Sequence, residues 1–395
     1  MKQYDVVIAG GAMTGASLAL ALDTLSQGKL RIAVVEAVSP EQTGHPGYDA
    51  RSIAMSLGSV RLMEQLGLWS SLADDATAIS RIHVSDRGHS GLARMSASEY
   101  GISALGYVIE LAQAGSVFLE QLLQRSAIDL FCPARIHTLH REQDVVSLQL
   151  STDESLQARL LVAADGGVSG CCAQLGIGHQ SVDFEQVAVI ANISTALSHQ
   201  GEAFERFTPY GPLALLPMSH GRSSLVWCIS PEQQQEVMGW DDETFLAQLQ
   251  AAFGWRMGKM ERTGQRFAYP LSLRQAERRV SHRFAVIGNA AQTLHPIAGQ
   301  GFNLGLRDVV TLAEEVVAGY QAGEDPGSTA VLSRFRQRRE PDQTATVAMT
   351  TCLVKLFANE HWPLVAGRNA GLMAMSVMDT IKAPLMKRAM GQVDR

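Results

Sequence analysis

The chain has 395 residues, 46% of them hydrophobic and 18% charged, with 35 glycines; this excludes a disordered polypeptide and points to two or three structural units. A net charge of -6 leaves no basic excess for counterion release, so no nucleic-acid partner is expected and a small molecule is. The five cysteines, Cys132, Cys171, Cys172, Cys228 and Cys352, are odd in number and lack CxxC or metal-ligand spacing, which argues for a reducing compartment without disulfides or metal.

Residues 6–22 could pass for the apolar core of a signal peptide, but three glycines interrupt them and one lysine precedes them. They read better as strand, turn and helix. No apolar run reaches the roughly 18 to 20 residues a bilayer span needs, so a soluble, cytoplasmic protein is expected.

In chain order, residues 4–9 form a β-branched apolar run, followed by Gly10-Gly11-Ala12-Met13-Thr14-Gly15, a helical stretch to Leu25, and a second apolar run over 31–35 that ends at Glu36. This is a βαβ unit with a dinucleotide fingerprint. Small residues are required there because a pyrophosphate rests on backbone N–H groups at the helix N-terminus, where a misplaced Cβ blocks its approach. Gly10, Gly11, Ala12 and Gly15 would line that contact, and Glu36 is spaced to accept from the ribose hydroxyls. Ala12 stands where the middle glycine is usual, and its methyl is expected to push the pyrophosphate slightly outward.

Stretches 81–86, 187–195, 203–208, 213–217 and 223–229 alternate with period two and read as strands of a mainly antiparallel sheet. Apolar strands at 161–164 and 284–287 run into polar turns, Asp165-Gly166-Gly167 and Gly288-Asn289. Then comes His295-Pro296-Ile297-Ala298-Gly299-Gln300-Gly301-Phe302-Asn303-Leu304-Gly305-Leu306-Arg307-Asp308, with a helix predicted over 303–318. Pro296 shapes a turn, and Gly299 and Gly301 let backbone come against a flat ring. From Leu332 onward the chain reads as helical.

These motifs resemble the Asp-Gly and Gly-Asp motifs of FAD-dependent aromatic hydroxylases related to p-hydroxybenzoate hydroxylase, and the segment from His295 to Asp308 is similar to the signature of the ubiquinone-biosynthesis hydroxylases. His45-Pro46-Gly47-Tyr48-Asp49-Ala50-Arg51, Ser85-Asp86-Arg87-Gly88-His89 and Phe204-Glu205-Arg206-Phe207 extend the resemblance over essentially the whole chain. Two departures stand out: Asn289 replaces the aspartate of the Gly-Asp pair, and Cys172 stands where relatives often continue to an arginine.

The resemblance implies an α/β, overall α+β, fold in which a Rossmann-like FAD-binding domain carries an inserted, mainly antiparallel substrate sheet and a C-terminal helical segment. The expected divisions are 1–75, 100–180 and 275–330 for FAD; 76–99 and 181–274 for substrate; and 331–395 for the helical region. It implies FAD held by Gly10, Gly11, Ala12, Gly15, Glu36, Arg51, Asp165, Gly166, Gly288, Asn289, Gly301 and Asn303, with Pro296, Gly299, Gln300 and Gly301 positioning the flavin.

The implied reaction is hydroxylation of a prenylated phenol through a flavin hydroperoxide. Its partners are NAD(P)H as transient reductant, dioxygen, other ubiquinone-biosynthesis proteins and the surface of the inner membrane. The expected substrate is a 2-polyprenyl-6-methoxyphenol, taken to the 1,4-benzoquinol. The alternatives are a sister hydroxylase acting at another ring carbon and a non-catalytic flavin-fold subunit. A flavin halogenase is disfavoured, because its Trp-x-Trp-x-Ile-Pro motif is absent.

Three readings stay open at this level. His295 could be a general base or could order its turn. Arg206 could reach the active site or solvent. The C-terminal helices could pack on the FAD domain or present a basic amphipathic surface through Lys382, Lys387 and Arg388. Met13 and Met218 read as core filler.

Overall fold

The computed structural model describes residues 1–39, 51–358 and 361–393. The stretch from His45 to Ala50 singled out above therefore lies outside the described residues. Val6, Val7 and Ile8 are all fully buried, so the first strand, Lys2–Ala9, is apolar on both faces, as the centre of a parallel sheet requires. It pairs in parallel with Ser155–Ala163 on one side and Ile32–Val35 on the other. Phe284–Val286 and Ile128–Phe131 extend the parallel order outward. Helix α1 (Met13–Ser26) follows the first strand and stops at Gln27 and Gly28, both left-handed. The carboxyl ends of four parallel strands thus bring Gly10, Glu36, Ala164 and Ile287 to one edge, the crevice where such sheets bind ligands.

A second sheet, nine-stranded among the described residues, runs in the order 292–293, 267–276, 179–195, 222–229, 211–217, 202–208, 81–86 and 92–96, with 260–263 joined beside 179–195. All its pairs are antiparallel except Glu202–Thr208 with Arg81–Asp86. The strand His179–Thr195 begins well before the alternation read from sequence. Its first half is polar and largely exposed, and a bulge between Asp183 and Gln186, with Glu185 at φ 54°, resets the register.

One face of this sheet presents Val189, Phe204, Leu213, Leu225 and Trp227 to Phe245, Leu249 and Phe253 of helix α2 (Asp242–Phe253). The other face carries Val84 and Phe207, which pack with Ile297, and Ala203 and Leu216, which pack with Ile79, Val108 and Met218. Met13 and Met218 are both core residues.

Helix α3 (Gln300–Gln321) begins three residues before the predicted start and packs with α1 in the largest core. Buried ion pairs fasten it to α4 (Thr329–Phe357): Arg307 Nε donates to Asp342 at 2.7 Å and Arg339 Nε to Asp308 at 2.8 Å. Helices α5 (Trp362–Val377) and α6 (Asp379–Ala389) dock on the outer strands of the second sheet rather than only on the FAD side. Arg368 and Asn369 both donate to Asp86 at 2.8 Å. Lys382 is buried and paired with Glu99, so of the two readings open for this region the packed one holds at this position. No helix among the described residues is long and apolar enough to cross a membrane.

Candidate functional site

The turn after the first strand closes by backbone contact. Gly10 has φ 98°, and a Cβ there would land on the carbonyl of Ala164; one on Gly15 would land on the carbonyl oxygen of Gly10. No side chain fits either place. Ala12 is the N-cap of α1 at φ -69° and ψ -173°, backbone that any residue adopts, so its methyl imposes no strain. No side chain caps α1, which leaves the amides of its first turn pointing out of the helix at the crevice.

Glu36 reaches back to this turn, accepting from Gly11 N–H at 2.6 Å and Val38 N–H at 2.9 Å. Its carboxylate thus braces the glycine turn while retaining lone pairs for a hydroxyl donor. Asp165 abuts Gly10, and its Oδ2 accepts from Cys171 N–H at 3.1 Å. The other oxygen, Oδ1, is buried with no hydrogen-bond partner among the described residues, a cost the fold bears unless a ligand donor arrives. Gly166, at φ 85°, faces open space. Gly288, at φ 59°, lies against Thr14 of α1 and Gly305 of α3, and Asn289 is exposed at the same edge with no hydrogen bond among the described residues. Arg51 sits 5.5 Å over the Tyr269 ring.

The second turn is held by side chains. Ala298 and Gly299 are consecutive left-handed residues at φ 55° and 59°, and a Cβ on Gly299 would come within 2.9 Å of Ala54 Cβ. Asn303 clamps them: its Nδ2 donates to Gly299 O at 2.6 Å and Ala54 O at 2.8 Å, while Oδ1 accepts from Ser56 N–H at 2.8 Å and Ser59 Oγ at 2.6 Å. With every donor and acceptor of the amide engaged, its side chain positions the loop and has no hydrogen bond to spare for a cofactor. Gln300, also buried, donates to Ala298 O at 3.1 Å, and Pro296 O accepts from Gly299 N–H at 3.0 Å. Gly301, by contrast, has nothing among the described residues within 4 Å of where a Cβ would stand.

His295 orders this turn. Ile297 N–H donates to Nδ1 at 3.2 Å, which leaves the proton on Nε2 to donate to Gln186 Oε1 at 2.8 Å. Burial pulls its pKa down to about 4, so the ring is neutral and its lone pair already used. Gln186, unnoticed in the sequence because it sits at a bulge, ties the second sheet to the loop. Arg206 turns to the helix-covered face and donates to Ala252 O at 3.1 Å.

A family model described as the FAD binding domain matches residues 3–350. The chain belongs to that family. This flavoprotein is an FAD-dependent aromatic monooxygenase, using a reductant and dioxygen. It is 38% identical over 390 residues to the ubiquinone hydroxylase UbiL of Rhodospirillum rubrum, covering 99% of this chain and 90% of the relative. It is 30% identical over 393 residues to the 3-demethoxyubiquinol 3-hydroxylase of Escherichia coli, covering 98% of each. The human ubiquinone biosynthesis monooxygenase COQ6 is 29% identical over 432 residues, covering 97% of this chain and 92% of that one. In fold, the monooxygenase resembles p-nitrophenol 4-monooxygenase PnpA of Pseudomonas putida, with a TM-score of 0.82, 18% identity and full coverage of both chains.

Proposed function

We propose that this monooxygenase hydroxylates a 2-polyprenyl-6-methoxyphenol at the carbon para to the phenol oxygen, giving the 1,4-benzoquinol in ubiquinone biosynthesis. The observation that carries the reading is the full-length similarity to ubiquinone hydroxylases. An intact Gly299-Gln300-Gly301 turn accompanies it. In sum, phenol, dioxygen, NAD(P)H and a proton give quinol, water and NAD(P)+. FAD supplies the redox chemistry when bound, passing electrons from the nicotinamide to dioxygen.

The chain's own residues hold and shield. The amides after Gly10, Gly11, Ala12 and Gly15 receive the pyrophosphate, with Arg51 nearby, and Glu36 receives the ribose hydroxyls. Asp165 Oδ1 takes a donor from the cofactor, an assignment its missing partner supports. Gly166, Gly288 and Asn289 flank the ribityl chain. Pro296, Gly299, Gln300 and Gly301 present backbone to the flavin ring, and Asn303 keeps that backbone in place. Within this reading, 1–75, 100–180 and 275–330 serve FAD, 76–99 and 181–274 serve substrate, and 331–395 form the helical region.

We place the enzyme in the cytoplasm, touching the inner membrane through α5. The exposed positions of that helix among the described residues include Trp362, Leu364 and Met373 and no charged side chain. Failure to float with phospholipid vesicles would remove this part.

The test is mass spectrometry of quinone precursors in cells lacking the gene, with and without its restoration, beside the absorbance spectrum of the purified protein. Accumulated 2-polyprenyl-6-methoxyphenol, cleared on restoration by a flavin-bearing protein, is expected. A later methoxylated quinol would assign a sister regiochemistry, and a colourless protein a scaffolding role.

A further inference from the structure

Strand alternation places one carboxylate where no structural interaction accounts for it. In Glu202–Thr208, Phe204 points to α2, so Ala203, Glu205 and Phe207 share the opposite face. Phe207 stacks on Phe357 with ring centroids 3.5 Å apart and packs in one cluster with Ile297 of the flavin-positioning turn. Ala203 belongs to a second cluster with Ile79, Val108 and Met218. Glu205 therefore lies between two apolar clusters on the sheet face that meets the loop. Its cross-strand neighbours are Ala214 and Val84, both short and apolar.

Glu205 makes no hydrogen bond or ion pair among the described residues. By accessible surface it is half-buried on that face, set beside the short side chains of Ala214 and Val84. A half-buried carboxylate set among apolar side chains without a partner is poorly solvated, and such a cost persists where function requires it.

We propose that Glu205 takes the phenolic proton of the substrate, its carboxylate accepting the hydroxyl while the ring lies against the flavin turn. The role rests on the phenol reading given above. The O–H bond breaks, its electron pair stays on the phenol oxygen, and the proton moves to a Glu205 carboxylate oxygen, from which it later returns to product. The more electron-rich oxygen raises electron density at the para carbon as that carbon receives the oxygen atom.

Burial alone lifts the Glu205 pKa to about 7, close to the value that suits a general base at neutral pH. The other ionisable groups on this face have separate engagements. Asp86 pairs with Arg368, Arg222 with Glu110, and Arg51 lies over Tyr269. The Cys228 thiol is pushed far up by burial and by Glu205 itself, so it stays protonated, and His295 is neutral.

The test compares wild type with Glu205→Gln and Glu205→Asp in the FAD-loaded enzyme, using a short-chain 2-prenyl-6-methoxyphenol. Measurements are kcat/KM against pH, flavin absorbance, and Tm against pH. Wild-type kcat/KM is expected to fall as pH drops below about 7. Glu205→Gln should lose about 100-fold and lose that acid limb with flavin content unchanged, while Glu205→Asp keeps the limb.

A carboxyl whose pKa is raised on folding gives up stability as pH rises through its folded value. Glu205→Gln should therefore melt higher than wild type above pH about 7, the gap closing near pH 5. Flavin-loaded Glu205→Gln with wild-type turnover and an unchanged acid limb overturns the role alone. A wild-type enzyme that binds flavin but does not turn over the phenol removes the substrate reading and this role with it.

Discussion

The two glycine turns of the crevice, one before α1 and one before α3, do related work by opposite means. Gly10 to Gly15 is closed by backbone against backbone, so what matters there is the absence of side chains. Pro296 to Gly301 is closed by side chains, with Asn303, Gln300 and His295 each bonding the loop's own backbone. At Gly10 and Gly15 the first turn is thus broken by adding atoms, and at Asn303 the second is broken by removing them. Left-handed Ala298 makes the second turn intrinsically less favourable, by about 1–3 kcal/mol, and the Asn303 clamp offsets that.

The largest expected effect comes from Gly15→Val, whose Cβ would occupy the Gly10 carbonyl. A loss of about 3 kcal/mol or more in urea unfolding, together with loss of bound flavin, is expected. Flavin occupancy equal to wild type would show that the turn yields easily and that the contrast is false.

Asn303→Ala should come next. It strands Ser56 N–H and the Gly299 carbonyl in the interior, for about 2–3 kcal/mol by the same assay. Its flavin spectrum should shift, whereas that of an exposed control such as Gln392→Ala should not. Equal stability would mean that water replaces the amide and that the loop is self-supporting.

The smallest effect on stability belongs to Gly301→Val, since no atom of the described residues meets the new Cβ and the site is helical. The apoprotein should unfold within about 1 kcal/mol of wild type. Turnover should nonetheless fall, because the open space is where the flavin ring is proposed to lie. Full turnover would place the ring elsewhere.

The crevice was legible because its signals are local. Val6 to Ala9 is apolar without alternation, Gly10 and Gly15 are required within six residues, and Glu36 closes the unit. What escaped depends on partners distant in the chain. Asn303 was read as a cofactor ligand, yet its side chain is spent on Ala54, Ser56, Ser59 and Gly299. Lys382 fits either a packed helix or a basic surface in the sequence, and its partner Glu99, which decides between them, lies 283 positions away. Glu205 is the exception, because an acid between Ala203 and Phe207 on an alternating strand is a signal that sequence alone carries. The early half of His179–Thr195 was missed because a strand that faces water has no hydrophobic period to read.

Asp86 carries a consequence for synthesis. It is buried on one of the outer strands of the second sheet, and its counter-charge, Arg368, is encoded 282 residues later. Ser376, later still, donates to Leu92 O on the neighbouring strand. Until those helices emerge from the ribosome, the nascent sheet carries an acid without its cation and an apolar face with no cover. The middle of the chain must therefore wait, open to chaperones and to wrong partners, for its own tail to finish it.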